Sequence, residues 1–268
     1  MKHLLEISGT YTIEKHFVGE NKIPTLMFYH KQKEKLPAVI CLHGWTGNKE
    51  GMLVHCLRLA DAGFCSVSVD ARMHGDRLDP EFWAKFAENF PRTFFTVVVE
   101  TARDISQIVD FLEETSFINP DRIGVMGVSM GGFTTLVAVT FEKRLKAAVS
   151  VIGSANFPLF VKNMLSLRVL PFKEKPMYQP DEETRRLYEQ YDPLNNLDKF
   201  PPTSLLLIGG SLDPYVPKEG IIELYEALKP YYETNPQNLK LKLYEVAHVY
   251  NSEMEAEVIK WFEANLRT

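Results

Sequence analysis

Along this chain, short runs of uninterrupted apolar residues alternate with stretches in which apolar positions recur at helical spacing. The runs cover residues 38–42 (AVICL), 64–69 (FCSVSV), 123–126 (IGVM), 147–152 (AAVSVI), 204–208 (SLLLI) and 239–244 (LKLKLY). The first five lack clean alternation, as strands do when both faces of a parallel sheet are covered. The sixth alternates and is placed nearer a sheet edge. Between the runs, Leu53, Leu57 and Ala60 mark a helix, and so do Ala102, Ile105, Ile108, Val109 and Leu112. Ile222, Tyr225 and Leu228 mark another, and Val258, Ile259 and Phe262 the last. This rhythm predicts an α/β fold with a parallel sheet and helices on both faces. Ahead of it, residues 4–30 alternate apolar and polar positions around Ser8-Gly9 and Glu20-Asn21, which predicts antiparallel strands.

Two stretches interrupt the pattern. Residues 78–95 and 155–200 are long, aromatic-rich and punctuated by proline. Insertions over the carboxyl ends of strands commonly shape a binding site. Residues 155–200 are therefore read as a small helical cap within one domain spanning 1–268.

The chemistry is concentrated at strand ends. Gly127-Val128-Ser129-Met130-Gly131 is a G-x-S-x-G sequence set between a predicted strand and the apolar stretch 133–141, which reads as a helix. Glycines beside the serine suit a strained turn, and the helix start favours developing negative charge. A serine hydroxyl needs a base to become a nucleophile. In this strand–turn–helix class the acid and the base follow the serine in the chain. Histidines stand at 3, 16, 30, 43, 55, 74 and 248, and only His248 follows Ser129. Asp213 follows the strand 204–208 and is the favoured acid; Asp192 and Asp198 lie in the expected cap, where turns or caps account for them. His43-Gly44-Trp45 follows the strand 38–42, which nominates the backbone N–H groups of Trp45 and Met130 as an oxyanion hole. His43 itself reads as a brace for that loop, and Asp70 and Arg72 as ties between loops. Phe82, Trp83, Phe86, Phe157, Phe160 and Phe172 are offered as walls of an acyl pocket, with Trp83, Phe86, Phe157 and Phe160 foremost.

Composition narrows the field. The formal net charge is -5 with the signs interspersed, which argues against a nucleic-acid partner. The three cysteines form no metal-ligand spacing, and two of them sit in apolar runs, which fits a reducing cytoplasm. No apolar window approaches a membrane span or a signal peptide.

Taken together, HGW, DARMHG, GVSMGG, GGSLDPYVP and the late His248 resemble the α/β-hydrolase superfamily over nearly the whole chain. The nearest likeness is to the prolyl-oligopeptidase and dienelactone-hydrolase branch, and within it to small bacterial carboxylesterases. The resemblance implies a mostly parallel sheet of about eight strands. It further implies hydrolysis of short-chain esters through an acyl-enzyme, with no metal or organic cofactor. Two departures stand out. Dienelactone hydrolases proper use cysteine where this chain has Ser129, and these 268 residues leave no room for the propeller of prolyl oligopeptidases. The expected partner is a small-molecule ester. An aminopeptidase-like enzyme or an amide or thioester hydrolase would use the same residues, with Glu182 and Glu183 as conceivable anchors for an amine. A non-catalytic receptor would be expected to lack one of the three.

Overall fold

The apolar runs form the centre of one sheet in the computed structural model, which describes residues 3–7, 11–167 and 179–267. Phe172, one of the expected pocket residues, lies outside them. Among the described residues there are nine strands: β1 (His3–Ile7), β2 (Tyr11–Val18), β3 (Ile23–Tyr29), β4 (Leu36–Leu42), β5 (Cys65–Val69), β6 (Ile118–Val128), β7 (Leu145–Val151), β8 (Ser204–Gly210) and β9 (Leu239–Tyr244). Their order is β1-β2-β3-β5-β4-β6-β7-β8-β9. The N-terminal strands pair antiparallel and join the sheet through β3 and β5, whereas β4 to β9 run parallel. The alternating run of the sequence, β9, is an edge strand.

Alternate residues of the central strands serve different layers. Ala38, Ile40 and Leu42 join the cluster that also contains Phe133, Val137 and Ile105, while Val39 and Cys41 join Cys56, Leu59, Val258 and Phe262 on the other face. Both faces are covered, so the run must be apolar throughout. Each fully buried Val, Ile or Leu side chain contributes about 1.5–3 kcal/mol of transfer free energy.

The helices are α1 (Leu53–Asp61), α2 (Phe82–Glu88), α3 (Phe90–Glu114), α4 (Met130–Val139), α5 (Phe157–Ser166), α6 (Glu182–Tyr191), α7 (Lys218–Leu228) and α8 (Ser252–Leu266). The aromatic stretch 78–95 thus contains α2 and the first turns of α3. The Asn89 side chain caps α3 by accepting the Arg92 N–H at 3.2 Å, and Pro91 sits in its first turn. All ten residues of α4 are buried, which places the helix wholly between the sheet and α3.

Candidate active site

Ser129 occupies the single residue between β6 and α4, with φ 55° and ψ −115°. A non-glycine residue there is strained, and the strain is held by packing that tolerates no neighbouring side chain. A Cβ on Gly127 would lie 2.1 Å from the Gly131 carbonyl oxygen, and one on Gly131 would lie 2.3 Å from that of Leu42. The turn is further fixed by the Ser129 N–H, which donates to the Val151 carbonyl at 2.8 Å.

Two more loops at the same end of the sheet bring Asp213 and His248 to the serine. His248 Nε2 lies 2.9 Å from Ser129 Oγ, and His248 Nδ1 lies 2.6 Å from Asp213 Oδ2. The other carboxylate oxygen, Asp213 Oδ1, accepts the N–H groups of Tyr215 at 2.9 Å and Val216 at 3.0 Å. With the carboxylate accepting three hydrogen bonds, His248 presents Nδ1–H to Asp213 and its lone pair on Nε2 to Ser129. The Asp213 side chain is 1% exposed and that of His248 is 23% exposed, so the imidazole forms the open edge of the site.

The loop after β4 borders the serine from the other side. A Cβ on Gly44 would lie 3.5 Å from Ser129 Cβ. Trp45 follows directly, and Met130 is the first residue of α4, so its N–H is one that the helix itself leaves unpaired. His43 Nδ1 donates to the Gly44 carbonyl at 2.8 Å, while Nε2 accepts the Ala71 N–H at 3.1 Å. Burial lowers the His43 pKa to about 4, so the ring stays neutral and joins two loops.

Beneath these loops is a charge network that sequence reasoning only partly anticipated. Asp70, fully buried, accepts from Lys49 Nζ at 2.7 Å and from the Lys49 and Asp76 N–H groups at 2.8 and 2.9 Å. Burial opposes the Lys49 ammonium, but its hydrogen bonds to Asp70, Glu50 and Asp76 outweigh that and hold its pKa above the ordinary lysine value. Arg72 binds Asp104 through two hydrogen bonds of 2.8 and 2.7 Å, which tie its loop to α3 instead of to another loop. A cavity of about 280 Å³ beside this network is lined by Arg72, Met73, Arg77, Thr96, Val97 and Glu100, and none of Ser129, Asp213 and His248 borders it.

The expected pocket residues fall into two groups. Trp83 is 56% exposed, whereas Phe82, Phe86, Phe157 and Phe160 are 1%, 3%, 0% and 5% exposed. The buried four belong to a continuous set of rings. Trp45 lies 5.1 Å from Phe82, 4.9 Å from Phe86 and 5.3 Å from Phe94; Phe94 lies 5.1 Å from Phe160, and Phe157 stacks on Phe95 at 4.0 Å. Phe157 has no surface to offer a ligand in this arrangement.

The alternative acids sit elsewhere. Asp192 accepts the N–H groups of Asn156, Leu194 and Phe157 at 3.1, 3.1 and 2.6 Å, so it ties the start of α5 to the end of α6. Burial raises its pKa, against the pull of these three donors. Asp198 is exposed. Tyr215, which the motif reading passed over, stands nearly perpendicular to His248 with ring centroids 5.4 Å apart. Its only sequence signal was its place two residues after Asp213.

A serine, a histidine and an aspartate in relay on this sheet define a serine hydrolase of the α/β-hydrolase fold. The family model described as "Prolyl oligopeptidase family" matches residues 95–267, and that described as "Acetyl xylan esterase (AXE1)" matches residues 3–158. The chain belongs to the prolyl oligopeptidase family. It is 30% identical to YitV of Bacillus subtilis (strain 168) over 260 residues, 93% of this chain and 99% of YitV. It is 24% identical to the esterase YjfP of Escherichia coli (strain K12), over 77% of this chain and 81% of YjfP. The solved structure of TT1662 from Thermus thermophilus superposes with a TM-score of 0.77 at 20% identity, covering 96% of this chain and 99% of that one.

Proposed function

We propose that this protein is a carboxylesterase that hydrolyses short-chain acyl esters through an acyl-enzyme on Ser129. The reading rests above all on the relay from Ser129 Oγ to His248 Nε2 at 2.9 Å and from His248 Nδ1 to Asp213 Oδ2 at 2.6 Å. In this reading His248 takes the hydroxyl proton as Ser129 Oγ bonds to the ester carbonyl carbon. Asp213 keeps the imidazole in the required tautomer and stabilises the imidazolium. The N–H groups of Trp45 and Met130 bind the oxyanion, and one such donor contributes about 3 kcal/mol of transition-state stabilisation. His248 then protonates the departing alcohol, and a water molecule, deprotonated by the same nitrogen, releases the acid.

The esterase name of YjfP and the acetyl xylan esterase match favour esters over amides. An aminopeptidase-like reading loses its candidate anchors, because Glu182 pairs with Arg186 along α6 and Glu183 with Arg92 of α3. The described residues 155–167 and 179–200 act in this proposal as parts of a cap within a single domain. The three cysteines are free and buried, and no helix among the described residues is long and apolar enough to cross a membrane. We place the enzyme in the cytoplasm on the first of these.

The test is a panel of p-nitrophenyl esters run beside aminoacyl anilides. Turnover of acetyl to butyryl esters, with slow or no anilide cleavage, is the expected result. Anilide cleavage at the higher kcat/KM would overturn the ester reading in favour of an amide hydrolase.

A further inference from the structure

We infer that Tyr215 is the leaving-group platform of the site, receiving the flat face of a ring in the alcohol portion of the ester. This rests on the ester reading above and adds a substrate class to it. The nitrogen that takes the proton from Ser129 must return it to the alcohol oxygen, so the alcohol has to lie beside His248 Nε2. The far side of Ser129 is taken by the Gly44 loop. The alcohol is therefore directed to the open edge formed by His248, and Tyr215 is the aromatic ring at that edge.

The surroundings of Tyr215 suit a binding surface better than an ordinary loop. Tyr215 is 39% exposed, and the two loops that carry Asp213 and His248 also expose Leu212 at 60% and Val249 at 47%. Those loops are joined by the Leu212 N–H, which donates to the Val246 carbonyl at 3.1 Å. Single exposed apolar residues are common on protein surfaces, but here three fall on the two paired loops that carry Asp213 and His248.

The platform is also held in place. The Tyr215 N–H donates to Asp213 Oδ1 at 2.9 Å, and its carbonyl accepts Asn163 Nδ2 at 2.9 Å. The same amide nitrogen donates to the Pro214 carbonyl at 2.8 Å. The backbone bonds fix where the side chain starts, and a tyrosine has only two χ angles to immobilise when a ligand covers it. A tyrosine face takes either an aryl ring or the C–H face of a sugar ring, since both present a flat, weakly polarised surface to the π system.

The experiment compares kcat/KM for benzyl acetate and for methyl 6-O-acetylglucopyranoside, each divided by kcat/KM for ethyl acetate. Tyr215→Ala keeps the backbone hydrogen bonds and removes only the ring. It is expected to lower at least one ratio about tenfold, the equivalent of about 1.4 kcal/mol. Tyr215→Phe should hold the same ratio within about twofold, because the face and not the hydroxyl makes the contact. A drop confined to benzyl acetate assigns an aryl alcohol, and a drop confined to the glucoside assigns a sugar. If neither ratio changes, or if all three esters slow equally, the ring serves the imidazole or nothing, and the platform is overturned while the ester reading stands. A wild type that cleaves none of the three overturns both.

Discussion

His43 Nε2 accepts the Ala71 N–H at 3.1 Å, so a ring on the loop after β4 holds the loop after β5. Only a neutral imidazole can do this while its Nδ1–H donates to Gly44. The loop that borders the serine is thus locked to the loop after β5 by a group whose ordinary pKa lies close to physiological pH.

This bond carries a prediction for stability against pH. Burial lowers the His43 pKa from 6.5 to about 4 in the folded chain. Between those values the unfolded chain binds a proton that the folded chain refuses. The stabilisation is therefore complete above pH 6.5 and is lost as pH falls towards 4. Linkage gives a loss of about 2–3 kcal/mol for this residue by pH 4.5. Denaturant unfolding at pH 7.5 and 4.5 should show that His43→Gln, though less stable throughout, loses less between the two than wild type. Equal losses would mean that His43 is protonated in the folded chain.

The relay carries a second prediction. Ser129→Ala should abolish labelling by an organophosphonate and lower kcat by at least about three orders of magnitude. His248→Ala should cost about as much, and the double variant no more than either, because the two act as one unit. Additive losses would mean that the 2.9 Å contact between them is not used.

Much of this arrangement was legible because it obeys short-range rules. The buried strands were readable as apolar runs, since residues such as Val39 and Ile40 face two different layers and both must be apolar. Ser129 was readable from its glycines, each of which meets backbone where a Cβ would be. The chain order left His248 alone as base. What escaped depends on contacts between distant segments. The polar stretch 119–122 concealed the early start of β6, which pairs with β4 at Leu36↔Ile118 before a register shift. The stretch 78–95 reads in sequence as an interruption of the strand–helix pattern, although Asn89 and Pro91 already mark the start of a long helix. Lys49 looks like a surface lysine in sequence, and only the fold shows its side chain 1% exposed with the ammonium against Asp70.

The choice of acid gives a third prediction. Asp213→Asn should keep the fold and lower kcat by up to about four orders of magnitude, because the amide favours the wrong imidazole tautomer. Asp192→Asn loses an acceptor for at least one of three backbone N–H groups. It should cost about 1–3 kcal/mol of stability with a far smaller effect on kcat. Measuring kcat and unfolding free energy for both variants separates the roles. The opposite ranking would assign the acid to the segment between α6 and β8.

The last prediction concerns acyl length. Trp45, whose amide is the proposed oxyanion donor, has its indole packed on Phe82, Phe86 and Phe94, and this wall continues through Phe160 and Phe133. The five phenylalanines are at most 5% exposed, so an acyl chain running along them has little depth before it must displace an aromatic side chain. Each methylene that fits contributes about 0.8 kcal/mol, whereas one that clashes contributes nothing or costs. The value of kcat/KM should therefore climb from acetyl to butyryl esters and then fall. Phe86→Ala, which removes a ring in direct contact with Trp45, should move the optimum to longer chains. Phe157→Ala removes a ring stacked on Phe95, away from Trp45, and should leave the optimum in place while costing about 3–5 kcal/mol of stability. A monotonic rise through dodecanoyl esters in the wild type would show an open groove and end the closed-pocket reading, without touching the roles of Ser129, His248 and Asp213.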